Sequence, residues 1–191
     1  MLEKRVVVLR IGLISDTHGD VDSWRKALDI LGELDLAIHT GDILSSGPFN
    51  PRGPSYNPLE LSREINFAPF PTIFAKGNCD ADVDTIAIAY PIESPYAFVY
   101  AEGLRILATH GHLYNEDKLL EMGMRYMLHI IISGHTHVRG IKVREGIVMV
   151  NPGSASLPKD EDDIPSVGLI ENRVVKLISL EDGSELERIE V

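Results

Sequence analysis

Val6-Val-Val-Leu-Arg-Ile-Gly-Leu-Ile14, followed at once by Ser15-Asp16-Thr17-His18-Gly19, is the stretch on which the fold of this chain turns. The first part is a run of Val, Leu and Ile interrupted only by Arg10 and Gly12. It has no polar face, as expected of a strand buried on both sides, and it stops at a polar cluster. Trp24, Ala27, Leu28 and Leu31 then recur at helical spacing after the turn-like Gly19-Asp20, which predicts a helix over 21–34. A second apolar run, Leu36-Ala-Ile-His39, completes a strand–helix–strand unit. The sheet therefore starts out parallel.

Beyond this unit the same patterns predict strands over 72–75, 104–108 and 130–132, with helices over 59–67 and 116–127. From residue 138 the chain turns to short β-rich segments at 141–143, 147–150, 167–170, 174–180 and 186–191. They are separated by the turn signals Glu145-Gly146, Glu171-Asn172 and Asp182-Gly183, which predict antiparallel hairpins. Residues 45–58 stand apart, with Pro48, Pro51, Pro54, Pro58, Gly47 and Gly53. Such a composition sustains neither a helix nor a central strand. The expectation is an ordered surface loop that rims a site or an oligomer contact. The expected architecture is mixed α/β in a single domain over 1–191, parallel at its beginning and antiparallel at its end.

At 191 residues, with 44% hydrophobic and 25% charged residues, the chain has ordinary globular usage, which excludes disorder and fibrous repeats. A formal charge of −11 sets the overall field against long nucleic acid and anionic membrane surfaces. The single cysteine, Cys79, forms no internal disulfide. The start Met1-Leu-Glu-Lys-Arg5 leads into an apolar run broken by Arg10 rather than into a cleavage site, so the expected compartment is the cytoplasm. No apolar run approaches the ~18 residues of a membrane helix.

The seven histidines carry the functional signal, because most stand beside Asp, Gly or another His. Five apolar runs each end in a short polar cluster: Asp16-Thr-His18-Gly19, Gly41-Asp42, Gly77-Asn78-Cys79-Asp80, His110-Gly111-His112 and Gly134-His135-Thr136-His137. In an open α/β sheet the carboxyl ends of the strands line one crevice, and all five clusters would meet there. Asp, His and the Asn amide oxygen suit Mn²⁺, Fe²⁺ or Zn²⁺, and no thiolate cage suggests a structural zinc. Asp16 and His18, and likewise His135 and His137, are two apart. In an extended segment each pair would project to one side and chelate one ion. Asp42 has two oxygens and can bridge two ions. His39 and His129, next to apolar residues, read as structural.

The ordered set D-x-H, G-D, G-N, H-G-H, G-H-x-H, followed by Asn151-Pro-Gly-Ser154, resembles the calcineurin-like metallophosphoesterase superfamily. Within it the chain is similar to the compact bacterial phosphodiesterases of the YfcE type, over most of its length. The resemblance implies a four-layer αββα sandwich of two mixed β-sheets flanked by helices. It also implies Asp16, His18 and His137 on one metal, Asn78, His110 and His135 on the other, and Asp42 bridging both. The implied activity is hydrolysis of small phosphodiesters by a hydroxide held between the ions. The expected cofactors are two divalent transition metal ions, Mn²⁺ first, with Ni²⁺, Fe²⁺ or Zn²⁺ as alternatives.

Many members carry His directly after the metal-binding Asn, where it can protonate the leaving group. Here Cys79 holds that place, which predicts a preference for leaving groups that need little help, such as aryloxides. Cys79 and His112 are the candidate catalytic residues beside Asp42 and Asn78, and Lys76 and Arg139 are candidate contacts to a substrate oxygen. The expected partner is a small phosphodiester, with no long nucleic acid and no membrane, in a homodimer or homotetramer. The alternatives on the same residues are a phosphomonoesterase or nucleotide hydrolase, a non-catalytic protein-binding scaffold of the same fold, and a Cys79 nucleophile with a His base.

Overall fold

In the computed structural model, which describes residues 8–191, the opening strand β1 spans Arg10–Ile14. The Val6–Val7 part of the expected strand lies outside the described residues. Helix α1 (Val21–Leu31) and β2 (Leu36–His39) complete the first unit. The chain continues through α2 (Pro58–Phe67), β3 (Thr72–Ala75), α3 (Asp84–Ala87), β4 (Ile92–Glu93), β5 (Ala97–Ala101) and β6 (Leu104–Ala108). Helix α4 (Glu116–Arg125), β7 (Ile130–Ile132), β8 (Gly140–Arg144), β9 (Ile147–Asn151), β10 (Ser166–Glu171), β11 (Val174–Ser179) and β12 (Glu185–Glu190) follow. Asp20 caps α1 by accepting from Ser23 N at 2.8 Å. The helix stops at Gly32, whose φ of 67° reverses the chain and ends it short of the expected residue 34.

Two mixed sheets result, in the strand orders β12-β11-β10-β1-β2-β3-β4 and β5-β6-β7-β9-β8. Strands β1 to β4 pair in parallel, as do β6, β7 and β9. The remaining pairs are antiparallel. Three hairpins close through two residues in the left-handed region, Glu102-Gly103, Glu145-Gly146 and Asn172-Arg173, the turn whose twist matches that of its flanking strands.

Three hydrophobic clusters fill the three gaps between four layers. Ile14, Trp24, Leu61, Phe74 and Val167 pack helices α1 and α2 on the first sheet. Ile11, Leu13, Ile38, Ile130, Ile132 and Val150 meet between the sheets. Leu107, Ile131 and Ile147 receive Leu119, Leu120 and Met122 of α4. Successive residues of β1 and β7 thus serve different layers, which is why those strands are apolar throughout. Burying each such side chain contributes roughly 1.5–3 kcal/mol. Among the described residues no helix is long and apolar enough to cross a membrane.

Register decides where chemistry can sit. Ile14 lies beside His39 and His39 beside Phe74, so the loops after β1, β2 and β3 leave the sheet side by side. In the second sheet Ala108 lies beside Ile132. Five loops therefore face one crevice at the carboxyl ends of both sheets.

Candidate functional site

Asp16, His18, Asp42, His110 and His137 are all buried, at 0–2% exposure, although each has an ionisable or metal-ligating side chain. Burial at that density demands partners, and the partners are specific. His18 Nδ1 lies 2.9 Å from Ser45 O, His110 Nδ1 2.9 Å from Thr40 O and His137 Nδ1 2.6 Å from Leu157 O. A carbonyl only accepts, so each Nδ1 carries the proton and each Nε2 presents a lone pair to the crevice. His18 Nε2 and His137 Nε2 face each other at 3.2 Å. Two lone pairs at that distance need a proton or a metal ion between them.

Asp16 lies beside them. Its Oδ2 accepts from the Ser15 hydroxyl and from His135 N at 3.1 Å. Its buried Oδ1 has no hydrogen-bond partner and stands 3.3 Å from His137 Nε2 and 3.7 Å from His18 Nε2. Burial alone would raise the Asp16 carboxyl, but His137 and His110 outweigh it and hold it below the usual carboxylate range. Asp42 is lowered in the same way, burial being overcome by His110. Its Oδ1 accepts from Cys79 N at 2.8 Å. Its Oδ2 lies 3.7 Å from His18 Nε2 and 3.5 Å from His110 Nε2. The orphaned carboxylate oxygen and the aligned imidazole lone pairs fit a divalent cation.

His110 Nε2 in turn lies 3.1 Å from Asn78 Oδ1. Its ring centroid is 5.1 Å from that of His135 and 5.3 Å from that of His112. Asn78 and His135 are exposed and His112 is half-buried. The seven expected ligand residues thus fall into a buried group (Asp16, His18, His137) and a more open one (Asn78, His110, His135), with Asp42 reaching both.

Two details of the expected geometry are corrected. Asp16 and His18 are not extended: their φ angles are 53° and 47°, and Asp42, His135 and His137 at 53°, 69° and 59° share the left-handed region. Such backbone costs of order 1 kcal/mol or more per residue and persists where surroundings enforce it. Here Ser154 Oγ and Ser156 Oγ both donate to Asp16 O, at 2.8 and 2.9 Å. Nor do His135 and His137 project to one side as a pair. The turn at 134–137 sends His137 to Asp16 and His18, and His135 to His110 and His112.

Other residues hold this arrangement. The buried Asp80 carboxylate accepts from Asp42 N at 2.9 Å, Ile43 N at 2.7 Å and Gly77 N at 2.7 Å, tying the loops after β2 and β3 together. Burial pushes its carboxyl up to about 6. Its adjacency to Asn78 was visible in the sequence, but its long-range partners were not. Glycine is required at 134, where a Cβ would lie 2.0 Å from Ser15 Oγ, and at 77, where it would lie 2.2 Å from Asp42 Oδ1. Asn151 donates to Gly134 O and to Thr136 Oγ1, both at 3.0 Å.

Cys79 sits against the Asp42 carboxylate and below Gly47. Burial and then Asp42 push its thiol up to about 12, which opposes the thiolate a Cys79 nucleophile would need. Lys76 and Arg139 are already engaged, Lys76 with Asp82 at 2.7 Å and Arg139 with Asp160 at 3.2 Å and with Asp162. That competes with the expected contact to a substrate oxygen. His39 is fully buried among Thr17 and Gly41, and burial pushes it down to about 3, a neutral structural histidine. His129 lies away from the crevice, against Arg105.

The Pro-rich loop borders the site. Ser45 O receives His18, and Ser46 Oγ donates to His18 O at 3.1 Å. Further on, Ser55 Oγ donates to Asp20 Oδ2 and Asn57 N to Gly19 O at 2.8 Å.

Residues 9–173 match the family model of the calcineurin-like phosphoesterase superfamily domain. The chain belongs to that superfamily. It is 29% identical to phosphodiesterase YfcE of Escherichia coli over 96% of this chain and 99% of that protein. It is 30% identical to a probable metallophosphoesterase of Methanothermobacter thermautotrophicus over 82% of each. The solved structure of E. coli YfcE, described as a phosphoesterase, superposes with a TM-score of 0.84 at 28% identity, covering 96% of this chain and all of that one. Vacuolar protein sorting 29 of Cryptosporidium parvum shares the fold, with a TM-score of 0.68 at 19% identity. As a calcineurin-like phosphoesterase, the chain is a hydrolase of phosphoester bonds, of a family that works with divalent metal ions.

Proposed function

We propose that this chain is a metal-dependent phosphodiesterase of small phosphodiesters, working at a two-ion centre. Asp16, His18 and His137 would hold one ion, Asn78, His110 and His135 the other, and Asp42 both. The observation that carries this reading is Asp42 Oδ2, which stands within 3.7 Å of an imidazole lone pair from each half. The bound ions would supply a nucleophile at neutral pH and offset charge on the phosphoryl oxygens. Mn²⁺ is the metal we favour, since oxygen ligands share the site with imidazole; Ni²⁺, Fe²⁺ and Zn²⁺ are the competitors.

The chain's own residues act around that centre. Carbonyl acceptors at Ser45, Thr40 and Leu157 fix the imidazole tautomers. Asp80 and the serines at 154 and 156 hold the loops that present the ligands. Cys79 stands after Asn78 where an imidazole acid would be a better proton donor to a poor leaving group, and burial holds His112 below the usual imidazole range. Both favour esters whose leaving oxygen departs as a stable anion, such as aryloxides. With a net charge of −11 we assign small diesters rather than long nucleic acid, and the lone cysteine suits the cytoplasm.

Mn²⁺-reconstituted protein is expected to hydrolyse bis-p-nitrophenyl phosphate, with Asp42→Ala slower by about 10³-fold, as loss of several kcal/mol of metal assistance implies. Faster turnover of monoesters than of diesters would make it a phosphomonoesterase. Absence of metal uptake and of turnover, with Asp42→Ala equal to wild type, would leave only a scaffold.

A further inference from the structure

A cavity of about 550 Å³ opens where His135 and Gly111 stand and runs between the start of α4 and strands β8 and β9. It shares His135 with the site, and the rest of its volume extends away from the proposed metal ligands. Its size lies within the roughly 300–1,000 Å³ of small-molecule pockets. The inner walls are Tyr114, Leu119 and Met149, side chains of the small core beneath α4, joined at the mouth by Val138.

Several of its polar groups are already paired. Lys142 pairs with Glu116 at 2.9 Å, and Glu116 also receives Arg144 at 3.0 Å. Arg139 is held by Asp160 and Asp162. Asn115 Oδ1 accepts from Lys118 N at 2.9 Å at the start of α4. Asn151 spends its amide on Gly134 O and Thr136 Oγ1 and its oxygen on Gly153 N. An anionic arm entering here would have to compete with Glu116, Asp160 and Asp162 for the cations and would give up its hydration. An apolar arm would trade water for Leu119 and Met149 and gain in proportion to the area covered.

We propose that this cavity is a specificity subsite that receives an uncharged apolar or aromatic arm of the phosphodiester, with Met149 and Leu119 as specificity-determining residues. The proposal rests on the diesterase reading for its substrate class and deepens it. It excludes diesters whose arms end in further phosphate or carboxylate groups as preferred ligands.

The test is binding, measured separately from turnover. Calorimetry on metal-loaded wild-type protein should give diphenyl phosphate a Kd at least tenfold below that of dimethyl phosphate, with bis(4-carboxyphenyl) phosphate no better than the dimethyl ester. The Met149 methyl resonance, assigned with Met149→Leu, should move with diphenyl phosphate and stay with dimethyl phosphate. Met149→Trp, which narrows the cavity beside Leu119, should lower the tenfold ratio severalfold while leaving the dimethyl Kd unchanged. Should that variant misfold by circular dichroism, the wild-type ratio and the Met149 resonance decide on their own. Equal Kd values for the two esters in wild type, or an unmoved Met149 methyl, overturns the subsite. A tenfold ratio in a protein that hydrolyses no diester overturns the diesterase reading and leaves the subsite standing.

Discussion

His137 is 2% exposed, whereas His135, two residues before it, stands open to solvent, as does Asn78 opposite. The same turn feeds both halves of the site and gives them different enclosure. In the buried half both imidazoles are locked through Nδ1 to a carbonyl, and Asp16 is fastened by Ser15 and His135 N. In the open half only His110 is locked so. Asn78 Nδ2 leans on the Cys79 sulfur at 3.3 Å. Rigid, dry ligands suit an ion that stays; exposed ones suit an ion that shares its coordination with substrate. The cavity at His135 lies on the open side.

Breaking each half in turn gives the largest contrast. Asp16→Ala should lower kcat/KM by about 10³-fold or more, the scale of several kcal/mol of metal assistance, and excess Mn²⁺ should not restore it. The melting temperature should also fall by several degrees, because the buried Ser15 hydroxyl and His135 N lose their acceptor at about 1–3 kcal/mol. Asn78→Ala, which removes one exposed neutral ligand, should cost less, about 10²-fold, and millimolar Mn²⁺ should recover most of it with the melting temperature unchanged. Equal rescue of both variants in a metal titration would erase the distinction between the halves.

A smaller effect appears in metal-free protein. For His18 burial dominates and holds the imidazole below 6.5. For His110 burial is outweighed by Asp42 and Asp16, which hold it above 6.5. Nitrogen-detected NMR titration should therefore show His110 taking its proton first as pH falls. The signs for stability are opposite. The His110 contribution is fully present below its unfolded value and lost as pH rises through its folded one. His18 instead destabilises the fold as pH drops below 6.5, where the unfolded chain binds the proton more readily. The reverse titration order would show that the Asp42 carboxylate does not face His110.

The smallest effect lies far from the site. Left-handed residues occur both at the ligands and in the β8–β9 hairpin, at Glu145. Glu145→Asn, a residue more tolerant of that conformation, should stabilise the protein by about 0.5–1 kcal/mol, within the strain ascribed to such positions, with turnover untouched. Loss of activity in this variant would mean that the hairpin strain is coupled to the site, as the strain at Asp16 is.

Legibility in the sequence followed the number of buried faces. Strands β1, β3, β6 and β7, covered on both sides or nearly so, announce themselves as aliphatic runs, and their clusters follow where the register places them. Strand β5 escaped detection because, at a sheet edge, Ala97 and Val99 turn inward while Phe98 and Tyr100 turn out. Its signal was that alternation and the Glu102-Gly103 turn. Strand β4, two residues long, and the single-turn α3 had none. The candidate ligand types were readable, but the left-handed backbone that separates His135 from His137 was not, since nothing in Gly-His-Thr-His encodes φ for the histidines. Arg139 looked free because its acidic partners lie more than 20 residues away.

The Pro-rich segment is fastened at both ends and little between. Ser45 and Ser46 grip His18 on one side, and Ser55, Tyr56 and Asn57 grip Gly19 and Asp20 on the other, while Phe49 at its tip is 95% exposed. Residues 48–54, beyond the contact of Gly47 with Cys79, are therefore the part whose length and side chains can change with least effect on the proposed ligands. This makes the segment an interchangeable faceplate, where the mouth of the crevice can diversify while the chemistry behind it stays constant.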